Sequence, residues 1–448
     1  MAKQSIRLSD HFTYGKLLRF TLPSICMMVF TSIYGVVDGL FVSNFVGKTP
    51  FAAVNLVMPF VMILGGMGFM VGTGGTALVS KVLGQRNKAT ANRYFSMMIE
   101  VTLLLGILLG VLGVVFMEPM ARFLKATDEM MADCVLYGRI VTGFTFAFML
   151  QNVFQSFFIA AEKPRLGLFV TVAAGITNMV LDALFIAVFD WGVAGAAIAT
   201  GLSQCVGGVL PLIYFLRPNT SLLRLRPAAL RLRPILQSCG NGSSELMTNL
   251  SMSLVNILYN YQLLRFAGEN GVAAYGVIMY AAFLFVAVFV GYAVGSAPIV
   301  SYHYGARNHA EVHNLYTKSL RLIGVVAVIM TAVSMLIIPY VAKIFVGYDA
   351  ELLELTSHAF RVYGLSFLIM GFNVYGSSFF TALGDGVTSA LISFLRTLLF
   401  QLAAVILLPM VLRIEGVWLA VTAAELAALV VTVYMFITKD KVFHYRNV

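Results

Sequence analysis

Charge is scarce in this chain of 448 residues. Lys, Arg, Asp and Glu make up 11% of it, less than half of what a soluble domain carries. With 60% hydrophobic residues and a mean hydropathy of +0.89, that excludes an ordinary water-soluble fold and points to an all-α polytopic membrane protein. Cysteine is scarce too. Cys26, Cys134, Cys205 and Cys239 are scattered, three of them within or near apolar runs, so the spacing supplies neither a disulfide framework nor a metal cluster. Enzyme motifs are missing: there is no Walker loop, HExxH, GxSxG or dinucleotide fingerprint. The expectation is a protein that is not an enzyme, has no cofactor and is not driven by ATP within this chain. No basic n-region with a small-residue cleavage site precedes the first apolar run, which reads as a retained span.

What charge there is carries information by its placement. Lys and Arg exceed Asp and Glu by 30 to 20, a formal net charge of +10. Nucleic acid would be one partner for such a balance, but the basic residues sit in alternate loops between apolar runs. Hydropathy gives twelve spans, the first near 15–43 and the last near 416–438. Lys3, Arg7, Lys16 and Arg19 precede or open the first. Lys81, Arg86, Lys88 and Arg93 occupy the second loop, and Arg217, Arg224, Arg226, Arg231 and Arg233 the sixth. Odd-numbered loops are poorer in bases. The pattern is positive-inside; it places both termini in the cytoplasm and speaks against nucleic acid.

The sequence repeats itself. FVGKTPFAAV (45–54) matches FAGENGVAAY (266–275) at an offset of 221, and SKVLGQRN (80–87) lies on SYHYGARN (301–308) at the same offset. At 222, QNVFQSFFIAA (151–161) lies on NVYGSSFFTAL (373–383). Three ordered matches at one spacing indicate two related halves. We expect an N-terminal six-helix bundle over 1–215, a basic cytoplasmic linker over 216–234 and a C-terminal six-helix bundle over 235–448. An even span count per half relates the bundles by an axis along the membrane normal, around a central cleft suited to alternating access. Small-residue pairs at Gly68/Gly72, Gly106/Gly110 and Gly291/Gly295 predict close helix packing.

Polar residues inside the spans are the candidates for function. The first span holds Pro23, Tyr34 and Asp38, with Tyr34 one turn before the acid; Pro23 removes a backbone hydrogen bond and permits a bend. The fifth repeats the four-residue spacing with Asn178 and Asp182, and the sixth adds Thr200 and Gln204. Oxygens of this kind suit a Na⁺ site or a pair of acids sharing a proton, since two close carboxylates in a low dielectric cannot both ionise cheaply; two acids each hydrogen-bonded to a neighbour would be a purely structural alternative. The repeat carries Asp38 to Tyr259 and Asp182 to Ala404, so the acids belong to the first half alone. The second half has Glu245, Asn249, Asn256 and Asn260 on its first span, Arg396 on the eleventh and Glu425 on the twelfth. Arg396 reads as neutralising a bundle acid or, less simply, as touching substrate. His309 and His313 read as a solvated helical face. Some of the 23 Met and 35 Phe would line the cleft, where they adapt to apolar or cationic ligands.

From LPSICMMVFTSIYGVVDGLFV through the LGQRN and YGARN loops to GVWLA in the last span, the chain resembles the multidrug and toxic compound extrusion (MATE) family, in its DinF-like, MepA-like bacterial branch. That resemblance implies a secondary antiporter of the bacterial inner membrane. It would export organic, often cationic compounds in exchange for H⁺ or Na⁺, with small drug-like molecules and the lipid bilayer as partners, and work as a monomer. It also implies a cation-coupling site at Tyr34, Asp38, Asn178, Asp182 and Thr200, with a transient Na⁺ at Asp38, Asn178 and Asp182 if that is the ion. Pro23 matches the family's bending point. Glu245 resembles a secondary acid of other branches, although no acid occupies 363–381 in the tenth span. The alternatives are a lipid-linked-precursor flippase of the same superfamily, for which a strongly cationic cavity or extra spans are expected, and, more remotely, an intramembrane enzyme or sensor.

Overall fold

A computed structural model describes residues 6–347 and 349–446, without the side chains of Leu40, Ser43, Asn44 and Lys48; Lys3 lies outside the described residues. Among these, every regular element is helical. The first half holds α1 (Tyr14–Phe41), α2 (Lys48–Gly84), α3 (Lys88–Phe123), α4 (Asp128–Gly143), α5 (Thr145–Ala160), α6 (Pro164–Asp182) and α7 (Gly192–Leu216). A short α8 (Leu232–Asn241) leads into α9 (Ser243–Gly305), α10 (His309–Val346), α11 (Ala350–Gly364), α12 (Phe367–Leu383), α13 (Gly386–Phe394), α14 (Phe400–Leu412), α15 (Ile414–Thr438) and α16 (Asp440–Phe443). Nine described helices are long and apolar enough to span a membrane, and eleven if α4/α5 (bent by 52°) and α11/α12 (bent by 47°) each count as one. Helix α9 changes direction at Gly268 (φ 59°, ψ −149°), so it contributes two legs and brings the total to twelve. The fold is the twelve-helix, two-bundle membrane architecture expected from the sequence.

The repeat is written into the backbone as well as the sequence. Gly47 (φ 116°) and Gly268 (φ 59°) are left-handed at an offset of 221, and so are Arg86 (φ 62°) and Arg307 (φ 57°). Glu162 (φ 59°) and Gly384 (φ 88°) follow at 222. Left-handed backbone is uncommon for residues with a Cβ, so its recurrence at Arg86 and Arg307 marks one turn used twice. The next residue does one job in both halves. Asn87 accepts from Thr90 N at 3.1 Å and Asn308 from Glu311 N at 3.1 Å, capping α3 and α10. This explains the shared G-x-R-N motif: a close-packing glycine, a left-handed arginine and a capping asparagine.

Glycines set the helix spacing. A Cβ at Gly68 would stand 2.7 Å from Met149 O, one at Gly106 would stand 2.6 Å from Phe146 Cα, and one at Gly291 would stand 2.5 Å from Ile25 Cα. All three predicted small-residue pairs therefore lie at helix contacts. The Gly291/Gly295 pair receives α1 beside Pro23, against Thr21, Ser24 and Ile25. At the end of the molecule that carries the basic loops, the repeat meets itself: Gly84 packs on the carbonyl of Tyr302, and Gly305 packs on the carbonyl of Lys81. With no side chain at either position, α2 and α9 touch backbone to backbone where the two halves join.

The chain termini brace the same end. Leu8 and Phe12 are fully buried. Leu8 N donates to Glu162 Oε1 of the first half at 2.7 Å, while Phe12 N donates to Glu311 Oε1 of α10 at 2.9 Å. Lys318 Nζ reaches Phe12 O at 2.8 Å and His11 Nδ1 lies 2.6 Å from Glu311 Oε2. Residues 7–12 thus form an arm across both halves, with Asp10 N donating to Arg7 O at 3.2 Å. The segment between α7 and α8 is pinned as well, through Arg224 N to Asn92 Oδ1 at 3.0 Å and Arg226 N to Ser96 Oγ at 2.8 Å on α3. One expectation is corrected here. The His309/His313 face is not simply solvated: His313 Nδ1 meets Tyr445 O at 2.9 Å, His309 stacks edge-on against Tyr304 and His444, and Glu311 between them is buried under the arm. Contacts to residues far away in sequence override the polar helical pattern.

Two outcomes follow. Gly84→Ala and Gly305→Ala place a methyl group against backbone that cannot rotate away. Each should cost ~1–3 kcal/mol, lower the thermal midpoint, and raise labelling of a cysteine introduced at the α2–α9 junction; unchanged midpoints would refute the close-packing account. Asp385 caps α13 through Thr388 N (3.1 Å) and Thr388 Oγ1 (2.7 Å) and pairs with Lys439 Nζ at 2.8 Å. Burial alone would push its carboxyl up, but the Lys439 and Thr388 hydrogen bonds outweigh it and hold the carboxyl below its usual range. Its stabilisation is therefore complete at neutral pH and is lost as the pH falls through the depressed value. Asp385→Asn should cost ~1 kcal/mol at pH 7, with a gap to the parent that narrows in acid.

Candidate functional site

The first-half acids meet across the α1–α6 contact. Tyr34 and Asp38 occupy successive turns of α1, and Asn178 and Asp182 successive turns of α6. Gly175 lets the two helices close up, because a Cβ there would run into the rings of Phe30 and Tyr34. Asp38 faces both Asn178 and Asp182. Asp182 is fully buried, Asn178 nearly so, and Asp38 is only partly covered. The helix geometry relaxes beside each acid: a π-helical turn over Val42–Val46 begins one turn after Asp38, and another over Ala183–Val188 begins immediately after Asp182. Such turns release a backbone carbonyl from the regular ladder and recur at functional positions.

Unsatisfied oxygen is the group's main property. Asp38 Oδ1, Asn178 Oδ1 and both carboxylate oxygens of Asp182 are buried without a hydrogen bond, as are Thr200 Oγ1 and Gln204 Oε1 on α7, which packs against α6. Among the described residues no ion pair reaches either acid. Two facing carboxylates without a cation are costly by several kcal/mol in such surroundings, so the arrangement favours an added positive charge, either a proton on one acid or a metal cation between them. The structure brings Asp38, Asn178 and Asp182 together, with Tyr34 alongside. Thr200 stands on the neighbouring helix and bonds to none of them.

Two partners escaped the sequence reading. Tyr34 faces Gln151 of α5, whose Oε1 is also unsatisfied; Gly207 of α7 makes room for that amide. Tyr137 of α4 is buried within electrostatic reach of both acids, and its hydroxyl points to Met58 Sδ at 3.7 Å. Gln151 had a signal, being an amide in an apolar span at the head of a repeated motif. Tyr137 had none that separates it from the other core aromatics.

The second half answers its buried acid differently. Arg396 Nε binds Glu425 Oε1 at 2.8 Å, Asn373 Nδ2 donates to Glu425 Oε2 at 2.7 Å, and Thr432 Oγ1 donates to Asn373 Oδ1 at 2.9 Å. The network is closed, and Arg396 neutralises a bundle acid. It sits on a π-helical turn over Leu395–Leu399. Beside it lies a cavity of 160 Å³ lined by Glu245, Met252, Tyr259, Tyr275, Met370 and Arg396 among others. Tyr259, at the repeat position of Asp38, stacks on Tyr275 (centroids 5.0 Å apart), whose hydroxyl donates to Asn256 Oδ1 at 3.0 Å. Glu245 is not part of the first-half acid group. It faces this cavity, with Arg396 as its neighbouring charge. Asn249 turns back to Glu245 O at 2.9 Å, and Asn260 is exposed.

Comparison with known proteins agrees with this layout. The chain is 22% identical over 439 residues to the multidrug export protein MepA of Staphylococcus saprophyticus, a match covering 95% of this chain and 94% of that protein. Its fold superposes on a crystal structure of MATE in complex with MaL6 with a TM-score of 0.93 at 21% identity, covering 99% of this chain and 100% of that one. A structure described as the outward-facing conformation of a multidrug resistance MATE family transporter of the MOP superfamily gives 0.92 at 22% identity, with 99% of each chain covered. The MatE family model matches residues 23–184 and 235–406, one segment in each half of the repeat. With both halves matched, the chain belongs to the MatE family, whose members are secondary transporters and not enzymes.

Proposed function

We propose that this protein is a multidrug efflux antiporter of a bacterial inner membrane, exporting organic, often cationic compounds in exchange for H⁺ or Na⁺. The observation that carries the reading is the Asp38–Asn178–Asp182 group: two acids face each other inside an apolar bundle with no counter-ion among the described residues. The name of the similar MepA, a multidrug export protein, supports the class of substrate. The transport unit is a single chain, divided into bundles over 1–215 and 235–448 by the linker 216–234. Both termini and the basic end face the cytoplasm, in line with the positive-inside pattern.

The mechanism uses the residues as placed. A cation from outside reaches Asp38, the less covered acid, and leaves the two carboxyls with a single negative charge between them. Removing the repulsion lets α1 and α6 close, and α1 bends where Pro23 has already removed a backbone hydrogen bond. Because the turns around Pro23 lie against Gly291 and Gly295 of α9, a bend there changes the contact between the bundles. Tyr34 and Gln151 hold the side of the group, and Thr200 supplies a further oxygen when the ion is Na⁺. Substrate occupies the cleft beside Glu245 and the Met- and Tyr-lined cavity, which at 160 Å³ must widen to admit a drug-sized molecule. One charge crossing a potential of about 100 mV gains ~2.3 kcal/mol, and one pH unit adds ~1.4 kcal/mol. For an uncharged substrate exchanged one for one, these together sustain a gradient on the order of a few hundred-fold.

Ethidium transport into inverted vesicles (the cellular efflux direction), driven by a pH gradient alone and then by a Na⁺ gradient alone, identifies the ion. Asp38→Asn and Asp182→Asn should each abolish driven efflux at unchanged expression and membrane insertion; full efflux by either variant would sink the site. Arg396 and Glu425 are assigned a structural role. Glu425→Gln, which leaves the guanidinium without its counter-charge, should cost about 3 kcal/mol in a thermal or denaturant unfolding assay. Replacing both residues together, Arg396→Met with Glu425→Leu, should recover most of that loss and retain efflux. A stable double variant that no longer transports would show that the pair acts on substrate or ion instead.

A further inference from the structure

A second polar cavity, of 460 Å³, opens at the basic end between the arm, the first half and α9. Four cations line it: Arg7 from the arm, Arg86 and Lys88 from the α2–α3 turn, and Lys163 from the turn before α6. None of the four forms an ion pair among the described residues. The one acid in the lining is Glu162, and its Oε1 already accepts from Leu8 N. Burial pushes the Glu162 carboxyl up, against the Leu8 N hydrogen bond and the charges of Arg7 and Lys163, and a single carboxyl faces four cations. Clustered like charges around a cavity repel one another, and a bound anion relieves that repulsion.

The repeat provides an internal control. At an offset of 222, Lys163 corresponds to Asp385, and both sit at the N-cap of the following helix. In the second half that turn is neutralised from within, by the Asp385–Lys439 pair at 2.8 Å. In the first half the same turn presents a cation, and Lys163 Nζ finds only the hydroxyl of Thr220 at 3.2 Å. Thr220 accepts there, so its own O–H is left to donate into the cavity. Two guanidinium forks, two ammonium groups and a hydroxyl amount to a donor set for an oxyanion with several acceptors. We propose that this cavity is a phosphate-binding site, filled by the headgroup of an anionic phospholipid or by a soluble phosphate. It lies where α2 ends and α3 and α6 begin, at the basic end where anionic headgroups would be attracted. Since Arg7 and Tyr302 belong to the arm and to α9, an anion seated there also ties the two halves together at their backbone contact.

The test uses the full chain in phosphatidylcholine nanodiscs. Its thermal midpoint is followed on titration with inorganic phosphate against chloride at constant ionic strength, and separately in discs doped with phosphatidylglycerol. A saturable rise is expected in at least one arm of the experiment. A rise with phosphate assigns the site to a soluble anion, and a rise only with phosphatidylglycerol assigns it to a lipid headgroup. The Arg86→Gln/Lys163→Gln variant should weaken the response at least tenfold, yet unfold no earlier than the parent in plain phosphatidylcholine, because repulsion has been removed. If that variant does not fold, Lys88→Gln takes its place, with a several-fold weaker response expected. No saturable rise in either arm, or equal rises in parent and variant, would overturn the proposal.

Discussion

A carboxylate inside an apolar bundle needs a positive partner, and the two halves of this molecule meet that requirement in opposite ways. In the second half Arg396 is built in, with Asn373 and Thr432 completing the shell around Glu425. In the first half Asp38 and Asp182 face each other, and no ion pair among the described residues answers them. One acid is satisfied from within; the other pair is left open and, on the proposed reading, is satisfied by the coupling cation. Repeats of one ancestral bundle therefore differ in the property that matters most for ion coupling. The half with a closed network can serve as a fixed frame, and the half with an open one can change state.

For such a change to matter it has to reach the other half, and glycines provide the route. Helix α1 carries Asp38 near one end and Pro23 in its other half, and the Pro23 region lies against Gly291 and Gly295 through the backbone of Thr21, Ser24 and Ile25 and the short side chain of Ser24. Backbone that packs this closely does not absorb a displacement the way long side chains do. A bend in α1 must be followed by α9 or must break the contact. The same α9 ends at Gly305, on the carbonyl of Lys81, with Gly84 opposite. The acid pair, the proline and the junction at the basic end are thus linked by two helices and a few points of close contact.

Much of this was legible in the sequence because it depends on composition and spacing. Span number, the two halves and the glycine pairs follow from hydropathy and from matches at 221 and 222. The pairing of Asp38 with Asp182 was approached through the shared four-residue spacing with Tyr34 and Asn178, which places each couple on one helical face. Contacts between distant segments could not be read this way. Nothing local marks Leu8 as the partner of Glu162, or Phe12 as the partner of Glu311, and the polar pattern around His309 and His313 suggested water where the arm and the C-terminal tail in fact lie. Tyr137 shows the other limit. In a chain rich in buried aromatics, only the fold can tell which ring stands beside an acid.

The broken symmetry extends beyond the acids. Tyr259 stands where the repeat would place Asp38, and Asp385 where it would place Lys163. In each pair one member needs no outside charge, Tyr259 because it is neutral and stacks on Tyr275, and Asp385 because it pairs with Lys439, and the other is left open among the described residues. Both open members, Asp38 and Lys163, lie in the first half, one within the bundle and one at the basic end. They have opposite charge and so require opposite partners. On the proposed readings, the first half takes up a cation inside the membrane and an anion at its edge, while the second half requires neither. A duplicated fold gains coupling in this way without new elements: the backbone turns and caps are kept in both copies, and internal partners are withheld at a few positions in one of them.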